Sequence, residues 1–582
     1  MKVMTKVRKR NGSLEDFSWE KIDAAVAKAF KAQGKEVPQL VTDIVHNTVQ
    51  IKHDMSNIID IEEIQDDVVK SILASGEWDT ALAYAAYREK HKELRFIKER
   101  VDWIDNYMES KENAATSSET DANANVSIKN VANIDGEVYK SINRQIQRYR
   151  MTKQLEKQFP EVAKQYVADL EHHIIYAHDE ASSPAVKNYC EAVSLYPLLI
   201  DGTKGMDGLG TTAPKNLSSF CGQLVNLTFL LSSQCKGAVA FGEFFNFLDY
   251  FCVKDFGPNY HIIANRLEAS IRPQRKVVDS IHQAYQQIVY GWNQPAGNRS
   301  YQSPFTNISY YDENYWHALF DEFYFPDGTQ PVWERVDWLQ RDFMTWFNNE
   351  RTKTLLTFPV ETVALLSENG DIKDLNYKHF VAEMYSKGHS FFTYISDNPN
   401  ALASCCRLRN EIAENVFSFT NGLTGVQTGS ANVITLNLNR IIQDWAKQEY
   451  NKLNMKESFK AYLIEILERV YKYHIAYKTM LYAVEDAGML NASTAGYINM
   501  HKLFSTIGIN GLNEAAEFLG LKCNYNEDYK EFCRLITGTI SEQNKLHSTR
   551  DFSFNTELVP AEGLSSKNYN WDKTEGLEPM PF

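Results

Sequence analysis

Ser396-Asp-Asn-Pro-Asn-Ala-Leu-Ala-Ser-Cys405-Cys406-Arg407-Leu-Arg409 leads into Thr428-Gly-Ser-Ala-Asn-Val433-Ile-Thr-Leu-Asn-Leu438. In the second segment Ile434, Leu436 and Leu438 alternate with Thr435 and Asn437 behind small turn formers, so it reads as a strand. The first reads as a loop in which Cys405 and Cys406 stand beside Arg407 and Arg409. Fixed positive charge favours the thiolate and makes a thiol reactive. Burial as small apolar side chains is the other common fate of free cysteines, and local chemistry alone does not separate the two.

Working outward, the segments 302–307, 323–328, 355–361 and 390–396 each read as a strand end followed by a turn. Helical patterns over 332–350 and 377–386 lie between them, and 153–173 reads as helical further upstream. Downstream, 457–487 is a long amphipathic helix with Phe459, Leu463, Ile466, Leu467, Val470 and Tyr471 inward, closed by Gly488. Residues 505–514 turn from strand to helix through glycines. Strand, turn and helix in repetition favour an α/β barrel with function at the strand C-terminal ends; an open doubly wound sheet fits the same pattern. Residues 214–252 are apolar with helical spacing, and their phenylalanines suit core or subunit packing.

A chain of 582 residues with 43% hydrophobic and 23% charged residues divides into two to four globular units. No run of eighteen apolar residues and no apolar leader occurs, from which a cytoplasmic protein without a membrane partner is expected. The net charge of −14 argues against a general nucleic-acid binder. Eight cysteines include no Cys-x-x-Cys pair, which leaves no metal ligand set to name.

Residues 1–98 read as a separate, mainly helical domain. Two short strands join through Lys9-Arg10-Asn11-Gly12, a hairpin signal because Asn and Gly tolerate positive φ. Ser18 is placed to cap the first helix and Asp60, with Glu63, the third; a last helix spans 80–98. A basic hairpin facing a helix start suits a triphosphate, while an isolated Lys-Arg-Asn-Gly is more often a solvated turn. Residues 99–130 read as a helix end and a polar, aperiodic linker, and 131–582 as the large domain. There His178-Asp179, Ser183-Pro184, Asn188-Tyr189-Cys190 and Pro560-Ala561-Glu562 stand out as polar words between apolar segments.

Ser404-Cys405-Cys406-Arg407-Leu408-Arg409, Phe419-Thr-Asn-Gly-Leu-Thr-Gly425 and Val433-Ile-Thr-Leu-Asn-Leu-Asn-Arg440 together resemble the anaerobic, glycyl-radical (class III) ribonucleotide reductases. Val7-Arg8-Lys9-Arg10-Asn11-Gly12 followed by Phe17-Ser-Trp-Glu-Lys21-Ile22 is similar to the ATP-cone of such enzymes. The resemblance implies a ten-stranded α/β barrel, here incomplete at its C-terminus, with a finger loop near 396–430. It implies Cys406 as the thiyl residue with Cys405 beside it, and Cys190 facing it across the substrate. Ser183, Asn188, Ser430, Pro560 and Ala561 would contact substrate, and Glu562 would be an acid–base group or a helix-cap carboxylate. Val7, Lys9, Arg10, Asn11, Gly12, Lys21 and Arg88 would hold ATP as activator and dATP as inhibitor. The family's reaction reduces ribonucleoside triphosphates to 2′-deoxyribonucleotides. Ser430, where formate users would carry asparagine, weighs against formate as reductant.

The family's radical glycine motif and the zinc-binding Cys-x-x-Cys before it do not occur in these 582 residues. The expectation is therefore a truncated or split large subunit, with the glycyl radical on a separate polypeptide. A radical S-adenosylmethionine iron–sulfur activase would install it, and a homodimer or higher oligomer is expected. Another glycyl-radical enzyme, or a catalytically incomplete nucleotide-binding subunit of a split reductase, are the rival readings.

Overall fold

A computed structural model describes residues 6–9, 14–53, 58–109, 131, 134, 138–203, 210–265, 272–296, 303–397, 401–404, 408–411, 428–448, 455–557 and 563–578. The chain divides into two compact units, 1–111 with 570–577, and 112–569 with 578–582. No helix among the described residues is long and apolar enough to cross a membrane.

The smaller unit pairs β1 (Lys6–Arg8) antiparallel with β2 (Leu14–Asp16) and parallel with β3 (Ile58–Asp60). Four helices follow or intervene: α1 (Trp19–Ala32), α2 (Gln39–His53), α3 (Ile61–Ala74) and α4 (Trp78–Glu109). Ile22, Val26 and Phe30 of α1 recur at helical spacing and meet Val41, Val45 and Val49 of α2 and Ile64, Val68 and Ile72 of α3 in one core. Ser18 caps α1, its Oγ accepting from Lys21 N at 3.4 Å. Asp60 stands at the N-cap of α3 without a side-chain cap bond. Its carboxylate instead lies 3.8 Å from Arg8 Nε, because β3 sets it beside β1 in the sheet. Strand β3 was not anticipated, and α4 runs to Glu109, beyond the 80–98 read from sequence.

The larger unit is organised around a ten-stranded sheet with the path β10-β8-β7-β6-β5-β13-β14-β15. Strands β5 (Cys190–Ala192), β6 (Val239–Phe241), β7 (Thr306–Tyr311), β8 (Val360–Glu368) and β10 (Phe392–Ser396) are mutually parallel. Strands β13 (Thr428–Asn437), β14 (Leu503–Asn510) and β15 (Ser553–Glu557) form a second parallel set. The two half-sheets meet antiparallel at β5 and β13. Strand β4 (Ile175–Ala177) also pairs with β13, and β9 (Asp371–Ile372) folds back on β8. Among the described residues no pairing joins β10 to β15.

Helices cover one face of each half-sheet. Phe241 stacks on Trp292 of the Arg272–Trp292 helix, and Phe245 of the Phe244–Phe256 helix packs on Tyr310. On the second half-sheet Phe554 meets Tyr471 of the Met455–Asp486 helix. These buried aromatics anchor the core, each worth about 1.5–3 kcal/mol of apolar burial.

Several local readings change. The helical stretch 153–173 is two helices, Lys140–Gln158 and Ala163–Glu171, broken where Phe159 precedes Pro160 and leaves helical backbone angles. Residues 323–328 are a loop whose Phe323 and Phe325 pack on Phe247, not a strand end. Leu438 is the first residue of the Leu438–Ala446 helix rather than a strand residue, because Asn437 Oδ1 accepts from Arg440 N and caps it.

Candidate active site

Side chains alternate across a strand, so register alone sorts the faces of the sheet. Val239, Phe241, Ile308, Tyr310 and Val363 share the helix-covered face of the first half-sheet. The opposite face carries Cys190, Ala192, Ala240, Asn307, Ser309 and Thr362, which are small or polar and still buried. Cys190 pairs with Ser430, which continues this face onto β13. There Ser430 Oγ and Thr506 Oγ1 lie 2.9 Å apart, and His178 Nε2 lies 2.8 Å from Thr435 Oγ1. Asn307 Nδ2 donates to Thr362 Oγ1 at 2.9 Å. Polar residues buried on a sheet face satisfy one another there, which fixes their orientation.

Strand β11 (Ala401–Ser404) pairs antiparallel with β12 (Leu408–Glu411), with Ser404 opposite Leu408. The three residues that join them, Cys405, Cys406 and Arg407, lie outside the described residues. The hairpin is not part of the ten-stranded sheet, yet β11 runs close to β7 and β8 and β12 close to β13. It therefore touches both half-sheets. The residues on either side of the two cysteines form paired strands, where the sequence reads as a loop.

Cys190 sits where β5, β6 and β13 converge, and backbone closeness there is extreme. The Cys190 Sγ accepts from Ala238 N at 3.3 Å. A Cβ on Gly237 would stand 2.8 Å from that sulfur, and one on Gly429 2.0 Å from the Cys190 carbonyl oxygen. Both positions require glycine because the backbones touch.

The excursion 178–189 leaves the sheet after β4 and returns at β5. Gln147 Nε2 holds it by donating to Ser183 O at 2.9 Å and Ala185 O at 2.7 Å. Ser183 Oγ accepts from Ala185 N within the turn. Asn188 is fully buried and donates through Nδ2 to Glu191 Oε1 at 2.9 Å, while its carbonyl accepts from Lys236 N. Both residues thus shape the approach to Cys190 as well as standing near it. Pro560, Ala561 and Glu562 lie outside the described residues.

Two carboxylates went unremarked as sites in the sequence. Glu557 ends β15 on the same face as Asn555, whose Nδ2 donates to Glu557 Oε1 at 3.1 Å, and it is buried. The alternation of Asn555 and Glu557 carried that signal. Glu243 follows β6, accepts from Ser194 Oγ at 2.9 Å, and burial pushes its carboxyl up to about 8. Nothing in the sequence marked it.

In the smaller unit Lys21 Nζ reaches Glu15 Oε2 at 2.7 Å and Lys9 Nζ reaches the same oxygen at 3.1 Å. Lys21, then Lys9, hold the Glu15 carboxyl below its usual range. Val7 is core, so it offers a ligand backbone only. Arg88 bonds Glu62 at 2.8 Å and Asp66 at 2.9 Å, and Tyr84 is core. Arg10, Asn11 and Gly12 lie outside the described residues.

Residues 132–578 match the family described as anaerobic ribonucleoside-triphosphate reductase, and residues 5–93 match the ATP cone domain. The chain belongs to the anaerobic ribonucleoside-triphosphate reductase family. It resembles the crystal structure of the anaerobic ribonucleotide reductase from Thermotoga maritima with citrate in the active site, at 27% identity over 78% of this chain and 80% of that one, TM-score 0.65. The same enzyme in complex with dATP and CTP aligns at 28% identity over 78% and 72%, TM-score 0.65. A further anaerobic ribonucleotide reductase aligns at 27% identity over 84% and 73%, TM-score 0.68. A curated relative, the ribonucleoside-diphosphate reductase subunit alpha of Chlamydia pneumoniae, is 32% identical over 123 residues, so this chain spans 12% of its length. This chain's described geometry is two half-sheets that meet antiparallel, with the paired strands β11 and β12 close to both, and the ATP cone match precedes them in sequence.

Proposed function

We propose that the chain reduces ribonucleoside triphosphates to 2′-deoxyribonucleotides by radical chemistry, under control of ATP and dATP at the cone. The observation that carries this reading is that the paired strands β11 and β12, which flank Cys405 and Cys406 in the chain, run close to both half-sheets, while β5, β13 and β14 bring Cys190, Ser430 and Thr506 onto one face. A glycyl radical, installed by an S-adenosylmethionine iron–sulfur activase, would supply the one-electron oxidising equivalent.

Small, hydrogen-bonded inward side chains suit a ribose, whose hydroxyls need partners once water is excluded. Cys406, in the segment between β11 and β12, is assigned the removal of the 3′ hydrogen, with Cys405 next to it in sequence. Cys190 is assigned the facing thiol, and Ser430 a hydrogen bond to the sugar. The 2′-hydroxyl leaves as water, and two electrons and two protons from a reductant complete the product. The half-sheets are assigned the fixing of the reacting distance. At the cone, Lys9 and Lys21 already converge on one carboxylate, and a triphosphate offers them stronger charge-assisted bonds.

Cys406→Ala and Cys405→Ala, compared in chain supplied with a radical source and activase, test the assignment. The expected result is loss of deoxynucleotide formation in Cys406→Ala with ATP and dATP binding by calorimetry unchanged. Turnover that survives Cys406→Ala would overturn it.

A further inference from the structure

Glu361 is a carboxylate on the apolar side of its sheet. It lies on β8, 2% exposed, and shares the helix-covered face with Val363, Ile308 and Tyr310. Tyr310 Oη donates to one carboxylate oxygen, and His389 Nε2 lies 2.6 Å from the other. Arg351, at the end of the Trp333–Arg351 helix, comes only to 3.7 Å of that second oxygen. His389 is also 2% exposed, and its ring stacks on Phe391 with centroids 4.3 Å apart. Its Nδ1 has no partner among the described residues, so Glu361 is the polar contact that orients the ring. A buried charged cluster of this kind gives a fold little stability that apolar side chains of equal size would not.

Its place in the chain points elsewhere. His389 sits in the turn between the Leu375–Ser386 helix and β10, three residues before Phe392. Among the described residues β10 pairs with β8 alone, and none of its five residues is buried. Register is specified where a strand buries one face, and a strand without a buried face is prone to slip. Tyr385 ties β10 through Thr393 Oγ1 at 2.6 Å, but at an exposed site where water competes. The Glu361–His389 contact is buried, and it stands one residue before Thr362, where the ladder opens opposite Phe392. A slip of two residues along β8 would move His389 about 6.6 Å from Glu361. We propose that Glu361 and His389 are positioning residues that fix the register of β10 on β8. β10 leads to β11 and so to the segment that carries Cys405 and Cys406. The pair thereby sets where those cysteines are delivered; this consequence rests on the radical reading above, whereas the register does not.

The test replaces the cluster by apolar side chains. Tyr310→Phe with Glu361→Leu and His389→Leu in the full chain should melt no lower than wild type, since the packing is kept and no buried polar atom loses its partner. Amide exchange of the 392–396 segment, read by mass spectrometry, should nonetheless quicken by about ten-fold or more. Glu361→Gln, which accepts from Tyr310 and donates to His389, should keep the wild-type protection. With a radical source and activase, kcat of the apolar variant should fall by about a hundred-fold at unchanged KM, and Glu361→Gln should retain most of it. Wild-type protection of 392–396 in the apolar variant would overturn the proposal. So would a variant that unfolds or melts lower throughout, which would make the cluster part of the general core. A wild-type chain that forms no deoxynucleotide would count against the radical reading, while the exchange rates would still decide the register.

Discussion

The cone and the β-sheet unit handle polar groups in opposite ways. In the cone Lys9, Lys21 and Glu15 meet at the surface, where water screens them and a competing anion can replace the carboxylate. On the other face of the sheet, away from the helices, buried Ser430 and Thr506 hold each other and buried Thr435 holds half-buried His178, so a lost partner leaves a buried hydroxyl unpaired. A regulatory site that must release its nucleotide suits weak, exchangeable pairs. The site proposed for radical chemistry suits rigid, satisfied ones. The difference predicts that comparable substitutions act very unequally in the two units.

Glycine gives the largest contrast. Gly429→Ala would press a methyl group to 2.0 Å from the Cys190 carbonyl oxygen, and neither backbone can yield without breaking the β5–β13 pairing. The expected loss is several kcal/mol, on the order of 4 or more, read by urea unfolding of the large unit. Gly34→Ala in the cone meets nothing within 4 Å and has only its φ of +68° to oppose it, a cost of about 1 kcal/mol. Equal losses at the two positions would break the contrast.

A buried carboxyl gives the next effect. Glu243 holds its proton in the folded chain up to about pH 8, while the unfolded chain releases it near 4.5. Between those values the folded state binds more protons, so stability contributed by this group is full below pH 4.5 and is lost as pH rises through 8. The slope is at most about 1.4 kcal/mol per pH unit. Glu243→Gln keeps the hydrogen bond to Ser194 without the titration. The stability difference between wild type and variant should therefore shift in favour of the variant from pH 5 to pH 8. A difference that stays flat across this window would place a charged carboxylate there.

Much of this was legible in the sequence, and the failures share a cause. Period-two alternation found β13, which buries apolar residues on one face and polar residues on the other, and period 3.6 found the 455–486 helix, which buries one continuous face. Turn chemistry was under-read. Asn369-Gly370, both at positive φ, make the β8–β9 hairpin by the same rule that was applied to Asn11-Gly12. Strand β3 is three residues long and depends on a partner far away in the chain, so no local pattern announces it. The words around Cys190 and Cys405-Cys406 suggested a site from sequence alone, whereas Glu243 and the glycine contacts exist only once strands from separate segments touch.

Surface charge in the cone should give the smallest effect on stability and a distinct effect on ligand binding. Lys9→Ala or Lys21→Ala removes one of two exposed partners of Glu15. Such pairs contribute so little that the cone's melting temperature should move by no more than about 2 °C. ATP affinity by calorimetry should nonetheless fall roughly ten-fold for each lysine, since each would lose a charge-assisted bond to phosphate. Glu15→Gln carries the opposite sign: it releases both lysines from their carboxylate and should tighten ATP binding while leaving the melt where it was. If Glu15→Gln weakened binding instead, the carboxylate would be positioning the lysines for the phosphates rather than competing with them, and the cone's pairs would resemble the sheet's in being part of the built site.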